Sequence, residues 1–400
     1  MLAENLIVIV IDGLQTGYLA PYGNAWVPTP TWCELASQSL LLEWNYVDSS
    51  DLASTYQAYW SGLPAISSGG WRTADRLMRR LDEAGIKAFC VTDRREIGDW
   101  GMRHARYSLV ETADMGDVGA RTDSWEETSA ARWAMMAAEI PARAPSRFFT
   151  WIHCDALARQ WQAPLAWRER FRDEEDPPPP TFLDPPQGRI DSDADPDELL
   201  DYSHAYAAEL MLCDAYLSLI LEAIQQSKQA DSTAILVTAP RGYALGDHRW
   251  LGIDVPALYG ELLHTPALLR LPDGQHRLER RTGIFQACDL YATCLEVLGI
   301  ANDSHWSRSW CSAEPAPDRA VAVSDAGRCL RTPAWLASWH NGQPFELYVK
   351  PDDRWEANDV AARRRDVEDL AQQALDDFLA AAQVGKRDAC GPLAQGLREV

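Results

Sequence analysis

The sequence has no CxxC pair among its 9 cysteines, no apolar run long enough to cross a bilayer, and no internal repeat. The cysteines are odd in number and scattered through apolar settings such as Phe89-Cys90-Val91. That excludes a disulfide framework and predicts buried free thiols in a reducing compartment. Positive charge is also short: 37 Lys and Arg stand against 59 Asp and Glu, for a net charge of −22. Nucleic acid and anionic membrane surfaces are thereby excluded as partners, although a local cationic pocket could still take a small anionic ligand. The first apolar run begins too near the N-terminus to be a signal peptide with a cleavage site. The expectation is a cytoplasmic protein with no membrane partner and no nucleic acid partner. What is present is a hydrophobic content of 46%, ample for a core, and 17 tryptophans, enough that a Trp-lined cleft or interface is expected.

The chain is organised around Asn5 to Gly23, NLIVIVIDGLQTGYLAPYG. Leu6 to Ile11 is an unbroken aliphatic run, which predicts a central parallel strand buried on both faces. It ends on Asp12-Gly13, and residues just past the carboxyl ends of such strands line the ligand crevice of open α/β sheets. Asp12 is therefore a candidate ligand or catalytic group, or else a carboxylate that caps a turn.

The rest reads as a βαβ rhythm. Helices are predicted over 29–42 with a cap at Thr31, 52–61 stopped by Gly62, 73–84, 125–138, 202–227 and 288–298. Strands are predicted over 41–47, 86–92, 147–153, 234–238 and 267–271. Residues 173–201 turn acidic and proline-rich (DEEDPPPP, DPP, DSDADPDE) and are expected to be a solvated surface excursion. After Gly299 the short alternating segments 320–325, 328–339 and 345–349 predict an antiparallel sheet, followed by a helix over 367–382. The fold class expected is α/β, a mostly parallel sheet with helices on both faces spanning 1–302, with a small α+β subdomain at 303–400.

In this order, NLIVIVIDGLQTGYLAPYGN with TPTWCELA, YWSGLP, RTADRLMRRLDEAGIKAFCVTD, TAILVTAPRGYALGDHRWLG, ELLHTPALLRLP with CDLYATCLEVLGI, and LRTPAW with PFELYVKPDDRWEANDVA resemble the sulfatase family of the alkaline-phosphatase superfamily. The resemblance covers nearly the whole chain. It implies a divalent metal held by carboxylates and an imidazole or amide, and a nucleophile at a helix N-terminus, where the dipole and free amides favour an anion.

Carried over residue by residue, the resemblance implies a site that has lost its parts. The first metal aspartate corresponds to Asp12, which is kept, and the second to Gly13. The nucleophile, ten positions before Gly62, corresponds to Leu52, and the arginine four positions on to Tyr56. The second ligand pair after AILVT corresponds to Pro240 and Arg241, and APRGYALG holds no carboxylate or imidazole. The middle-loop histidine falls near Ala158, and the lysine after the Gly-x-His loop near Ile253, while His248 is kept. Asp155 resembles a further metal aspartate of phosphodiesterase relatives, but its histidine partner is replaced by Ala158 or Arg159. A shifted alignment near Leu52 would offer Ser50, Asp51, Ser54 or Thr55. His104, His204 and His264 show no ligand spacing.

Two functions follow from the resemblance. One is a sulfatase-like pseudoenzyme with no cofactor, binding a small anionic ligand or a protein partner. The other is an active sulfate or phosphate ester hydrolase with a rearranged site of Asp12, Thr55, Asp155 and His248. That site would need one divalent cation, calcium or magnesium ahead of manganese or zinc. In the first reading Arg241 is expected to stand at the former metal position and pair with Asp12, Asp155 or Asp247, because a buried carboxylate needs a compensating cation.

Overall fold

The computed structural model describes residues 2–67, 75–101, 109–112, 123–144 and 146–399. The first strand, β1 (Asn5–Ile11), is buried at every position, as a run with no polar face must be. Next come α1 (Pro30–Ser37), β2 (Leu40–Tyr46) and α2 (Leu52–Ser61). Helix α2 starts where the Asp51 carboxylate accepts the Ser54 amide, and it stops at Gly62 in the left-handed conformation, φ 68°. A Cβ at Gly62 would also lie 2.6 Å from the Tyr291 ring, so this end admits glycine for two reasons. The chain continues through α3 (Arg76–Glu83), β3 (Lys87–Thr92), α4 (Arg95–Gly101), β4 (Leu109–Thr112), α5 (Ser129–Arg143) and β5 (Phe148–Cys154). After α6 (Ala156–Arg159), α7 (Leu165–Arg168) and the short β6 (Gly188–Arg189), the long α8 (Pro196–Gln226) leads into β7 (Thr233–Thr238). The segments β8 (Ala244–Leu245), β9 (Trp250–Gly252), α9 (Gly260–Leu263), β10 (Ala267–Arg270), β11 (Arg280–Gln286) and α10 (Asp289–Val297) follow. Last come β12 (Ala320–Ser324), β13 (Gly327–Arg331), β14 (Trp335–His340), β15 (Glu346–Val349) and α11 (Arg365–Val384).

Among the described residues eight strands form the main sheet, in the order β11-β2-β10-β7-β1-β5-β3-β4, and of these only β10 runs antiparallel to its neighbours. Side chains of β1 alternate between the two faces: Leu6, Val8 and Val10 join one core with α2, α3 and α10, while Ile7, Ile9 and Ile11 join another with α1, α5 and α8. Strands β12 to β15 form a separate antiparallel sheet, as expected, and β6, β9 and β8 a small third one. The first core is continuous past residue 303: Trp306, Trp310, Leu330 and Phe378 pack in the same cluster as Val8. Among the described residues no helix is long and apolar enough to cross a membrane.

Several boundaries differ from the sequence expectation, each for a local reason. The helix expected over 29–42 ends at Ser37, because Leu40 to Leu42 are fully buried in β2. Thr31 is not its cap; Thr29 precedes Pro30 at the first helical position, and the Thr29 hydroxyl accepts the Ala20 amide instead. The helix expected from 125 starts at Ser129, where the Thr128 side chain accepts the Ala131 amide. The acidic segment 173–201 is not all loop: Asp195 caps the Asp197 amide and Pro196 opens α8, so its last residues are helical. The segment 328–339 is two strands, β13 and β14. Strands β4 and β11 were not expected at all. The expected helix start at Thr73, and His104, lie outside the described residues.

Candidate functional site at the strand ends

The sheet order brings β7, β1, β5 and β3 side by side, so the residues after their carboxyl ends share one crevice. Val10 is in register with Thr238 on one side and His153 on the other, and the Asp12 amide donates to Cys154 O at 2.8 Å. Asp12 thus sits between the 239–241 turn and the end of β5. Gly13 adopts φ +80°, and a Cβ there would come within 3.1 Å of the Leu157 backbone. The turn is held by Tyr206, whose hydroxyl donates to Gly13 O and accepts the Gln15 amide, both at 2.8 Å.

Asp12 is fully buried and faces Arg241 in a two-pronged pair: Nε donates to Oδ1 at 2.9 Å and Nη2 to Oδ2 at 3.1 Å. The third guanidinium nitrogen, Nη1, donates to Ser50 O at 3.2 Å and to the exposed Asp254 carboxylate at 3.0 Å. Burial alone would raise the Asp12 carboxyl, but the Arg241 charge and hydrogen bonds outweigh it and hold the group below the ordinary carboxylate value. Asp247 is not the partner of Arg241; the sequence expectation named it only as an alternative.

Leu52, at the implied nucleophile position, is the first residue of α2 and is buried. The Asp51 carboxylate already occupies the helix N-terminus through its bond to the Ser54 amide at 2.7 Å. Thr55 does not face Asp12. Its hydroxyl is turned back onto Ser49 O and Asp51 O, both at 3.2 Å, so the rearranged site with Thr55 is not assembled. Tyr56, at the implied arginine position, is wholly buried, and its hydroxyl lies 2.6 Å from His153 Nδ1 while accepting Trp151 Nε1 at 3.2 Å. His248 stands apart from these groups. It stacks on Tyr259 with ring centroids 3.6 Å apart, meets Glu261 Oε1 at 3.3 Å and donates to Glu356 O at 3.2 Å. It lines a narrow cleft with Thr16, Trp44, Lys350, Arg354 and Trp355.

Sequence reasoning missed three members of the crevice. Arg94, just past β3, donates from Nε to Asp155 Oδ2 at 2.8 Å, and Asp93 Oδ2 accepts the Asp155 amide at 2.8 Å. His153 is on β5, two residues before Asp155, with its Nε2 3.9 Å from Asp155 Oδ1. Positions 158 and 159 are Ala and Arg, so the imidazole beside Asp155 comes from position 153 of the strand itself. Burial, and then the Asp12 charge, push the Asp155 carboxyl up to about 6, against the pull of Arg94. Burial drives the His153 imidazole down to about 3, so it is neutral near pH 7. The available signal was an apolar strand ending in Asp, which marks Asp93 and Asp155 as it marks Asp12.

The divalent metal that the resemblance implies does not fit the residues present at its position. Gly13 offers no donor and Pro240 none from its side chain, while Arg241 is a permanent cation whose guanidinium stands against both oxygens of Asp12.

Comparison with known proteins agrees with this fold. The chain superposes on the phosphonate monoester hydrolase of Agrobacterium radiobacter with a TM-score of 0.75 at 16% identity, covering 94% of this chain and 95% of that one. It superposes on BT1596, a 2-O GAG sulfatase, with a TM-score of 0.74 at 15% identity over 95% and 92%. A third neighbour, BT4656, solved with its substrate D-glucosamine-2-N,6-O-disulfate, gives 0.76 at 14% identity over 97% and 99%. No curated protein sequence matches the chain. A family model described as Sulfatase matches residues 4–300, well over half of the sequence, and the chain belongs to the sulfatase family.

Proposed function

We propose that this chain is a pseudo-sulfatase, a sulfatase-family protein that binds a ligand or partner at its strand-end crevice without hydrolysing an ester. The observation that carries this reading is the Arg241 guanidinium paired across both oxygens of Asp12. A guanidinium balances the carboxylate charge, as a metal would. It offers no open coordination position, cannot activate a hydroxyl, and cannot act as a Lewis acid toward an ester oxygen. Leu52 supports the same reading, because a hydrocarbon side chain at the nucleophile position cannot attack.

The neighbouring cleft supports binding. Its aromatic walls, Trp44 and the half-exposed Trp355, offer stacking, and Arg354 and Asp247 offer hydrogen bonds to a polar ligand, while Lys350 is held by Asp353 O, Arg354 O and the Glu356 carboxylate. The test is hydrolysis of 4-nitrophenyl sulfate, 4-nitrophenyl phosphate and a phenylphosphonate ester, with and without added calcium, magnesium or manganese. Release should not exceed that of the heat-denatured protein. Saturable turnover that disappears in Asp12→Asn would overturn the proposal and restore the active-hydrolase reading.

A further inference from the structure

The side of Asp12 away from Arg241 is built differently. Ligand atoms of Asp12, His153 and Asp155 all lie within 4.8 Å of one another, and all three side chains are buried. Two of those atoms have no hydrogen-bond partner among the described residues: His153 Nε2 and Asp155 Oδ1, which face each other at 3.9 Å. That separation is too long for a hydrogen bond whichever ring nitrogen carries the proton. Two buried polar atoms left facing one another are costly unless something sits between them.

We infer that Asp12, His153 and Asp155 form a binding site for one divalent transition-metal ion of the zinc class, on the β5 side of Asp12 and distinct from the position filled by Arg241. One imidazole and two carboxylates suit such an ion, and three protein donors leave one position of a tetrahedral shell for water or a ligand atom. Donors around a tetrahedral zinc stand about 3.3 Å apart, so the three side chains close by an ångström or so on loading.

The surroundings are those of a supported site. The Tyr56 hydroxyl lies 2.6 Å from His153 Nδ1, so in the tautomer whose Nδ1–H donates to it Nε2 is left as the donor atom for a metal. Arg94 holds Asp155 Oδ2 and so turns Oδ1 toward His153. This site does not rest on the loss of hydrolysis, since it lies on the other side of Asp12 and its test reads binding.

The experiment loads metal-stripped, full-length protein with cobalt(II), removes excess by dialysis, and reads retained metal by mass spectrometry and visible absorption. The wild type should keep about one equivalent with the intense absorption of a low-coordinate site. His153→Gln and Asp155→Asn should lose it, while His276→Gln, a surface control, should keep it. Thermal melts check that each variant is folded. Copper(II) with ascorbate, applied to the wild type and mapped by peptide mass spectrometry, should oxidise His153, so the assignment does not depend on a variant that folds. A wild type that retains no metal, variants of His153 and Asp155 that retain it in full, or oxidation mapped to His248 or His276 would each overturn the proposal.

Discussion

Removing Arg241 is expected to destabilise the protein severely. The side chains of Arg241 and Asp12 are 4% and 0% exposed, so solvent does little to screen the pair. Two charge-assisted hydrogen bonds join them. Truncation leaves the Asp12 carboxylate buried without a counter-charge, and breaking a buried pair from one side costs roughly 3–5 kcal/mol. Arg241→Ala should therefore lower the unfolding free energy by that amount near pH 7.5, read as a lower urea midpoint at unchanged slope. The pH dependence has a definite sign. In the wild type the Asp12 carboxyl is held below its ordinary value of 3.8, so the contribution of the pair is fully present above that value and is lost as pH falls through the lowered one. In the variant burial, the largest influence, is opposed only by the lesser pull of His153 and Arg94, so the folded-state value should lie above the unfolded one and acidification should restore stability. The gap between the two proteins should close as pH is lowered from 7.5 toward 5. In a double-mutant cycle, Asp12→Asn with Arg241→Met should recover about 2 kcal/mol or more relative to the sum of the single losses. A loss in Arg241→Ala of less than about 0.5 kcal/mol, or single losses that simply add, would refute the reasoning.

Two further changes probe the frame around the crevice. His264 is half-buried, stacks on Tyr46 and donates to Glu43 O at 2.9 Å, and desolvation lowers its imidazole from 6.5 to about 3. Below pH 6.5 the unfolded chain takes a proton that the folded chain refuses. The wild type should thus lose about 1.4 kcal/mol per pH unit from this group down to pH 3, and the stability deficit of His264→Gln should shrink over that window. A deficit independent of pH in chemical unfolding would count against a neutral His264. Gly13→Asp, which restores the second aspartate of the family, should destabilise by about 1–3 kcal/mol, because φ is +80° and the Leu157 backbone crowds the new Cβ. It should also gain no calcium affinity by titration calorimetry; tight calcium binding would show that the family's metal position is still open.

The sequence was legible where function and fold use the same signal. The apolar run of β1 ending in Asp12, and that of β7 followed by Arg241, placed both residues at strand ends, and the family resemblance set Arg241 at a ligand position with Asp12, Asp155 or Asp247 as its partner; the structure selects Asp12. His153 was not legible, because its position inside RFFTWIH is that of an ordinary strand residue, and only the pleat decides that its ring meets Tyr56 and Asp155. Arg94 and Asp93 follow the AFCVT run of β3, and they become meaningful only once β3 is known to lie beside β5. The rearranged site with Thr55 failed for a local reason: a threonine in the first turn of a helix can bond back to a carbonyl four residues earlier, and Thr55 does so. The start of α8 was hidden by composition, since acidic and proline residues mark both a solvated loop and a well-capped helix N-terminus.

The central claim is that a guanidinium, not a metal ion, balances Asp12 at the position between β1 and β7. Its most direct test is the side-chain Nε–H signal of Arg241 in protein labelled with nitrogen-15 arginine, assigned by its loss in Arg241→Lys. The account predicts a slowly exchanging, strongly shifted resonance that neither calcium nor magnesium moves. A rapidly exchanging signal at the position of solvated arginine, or one displaced on saturation with either cation, would contradict it.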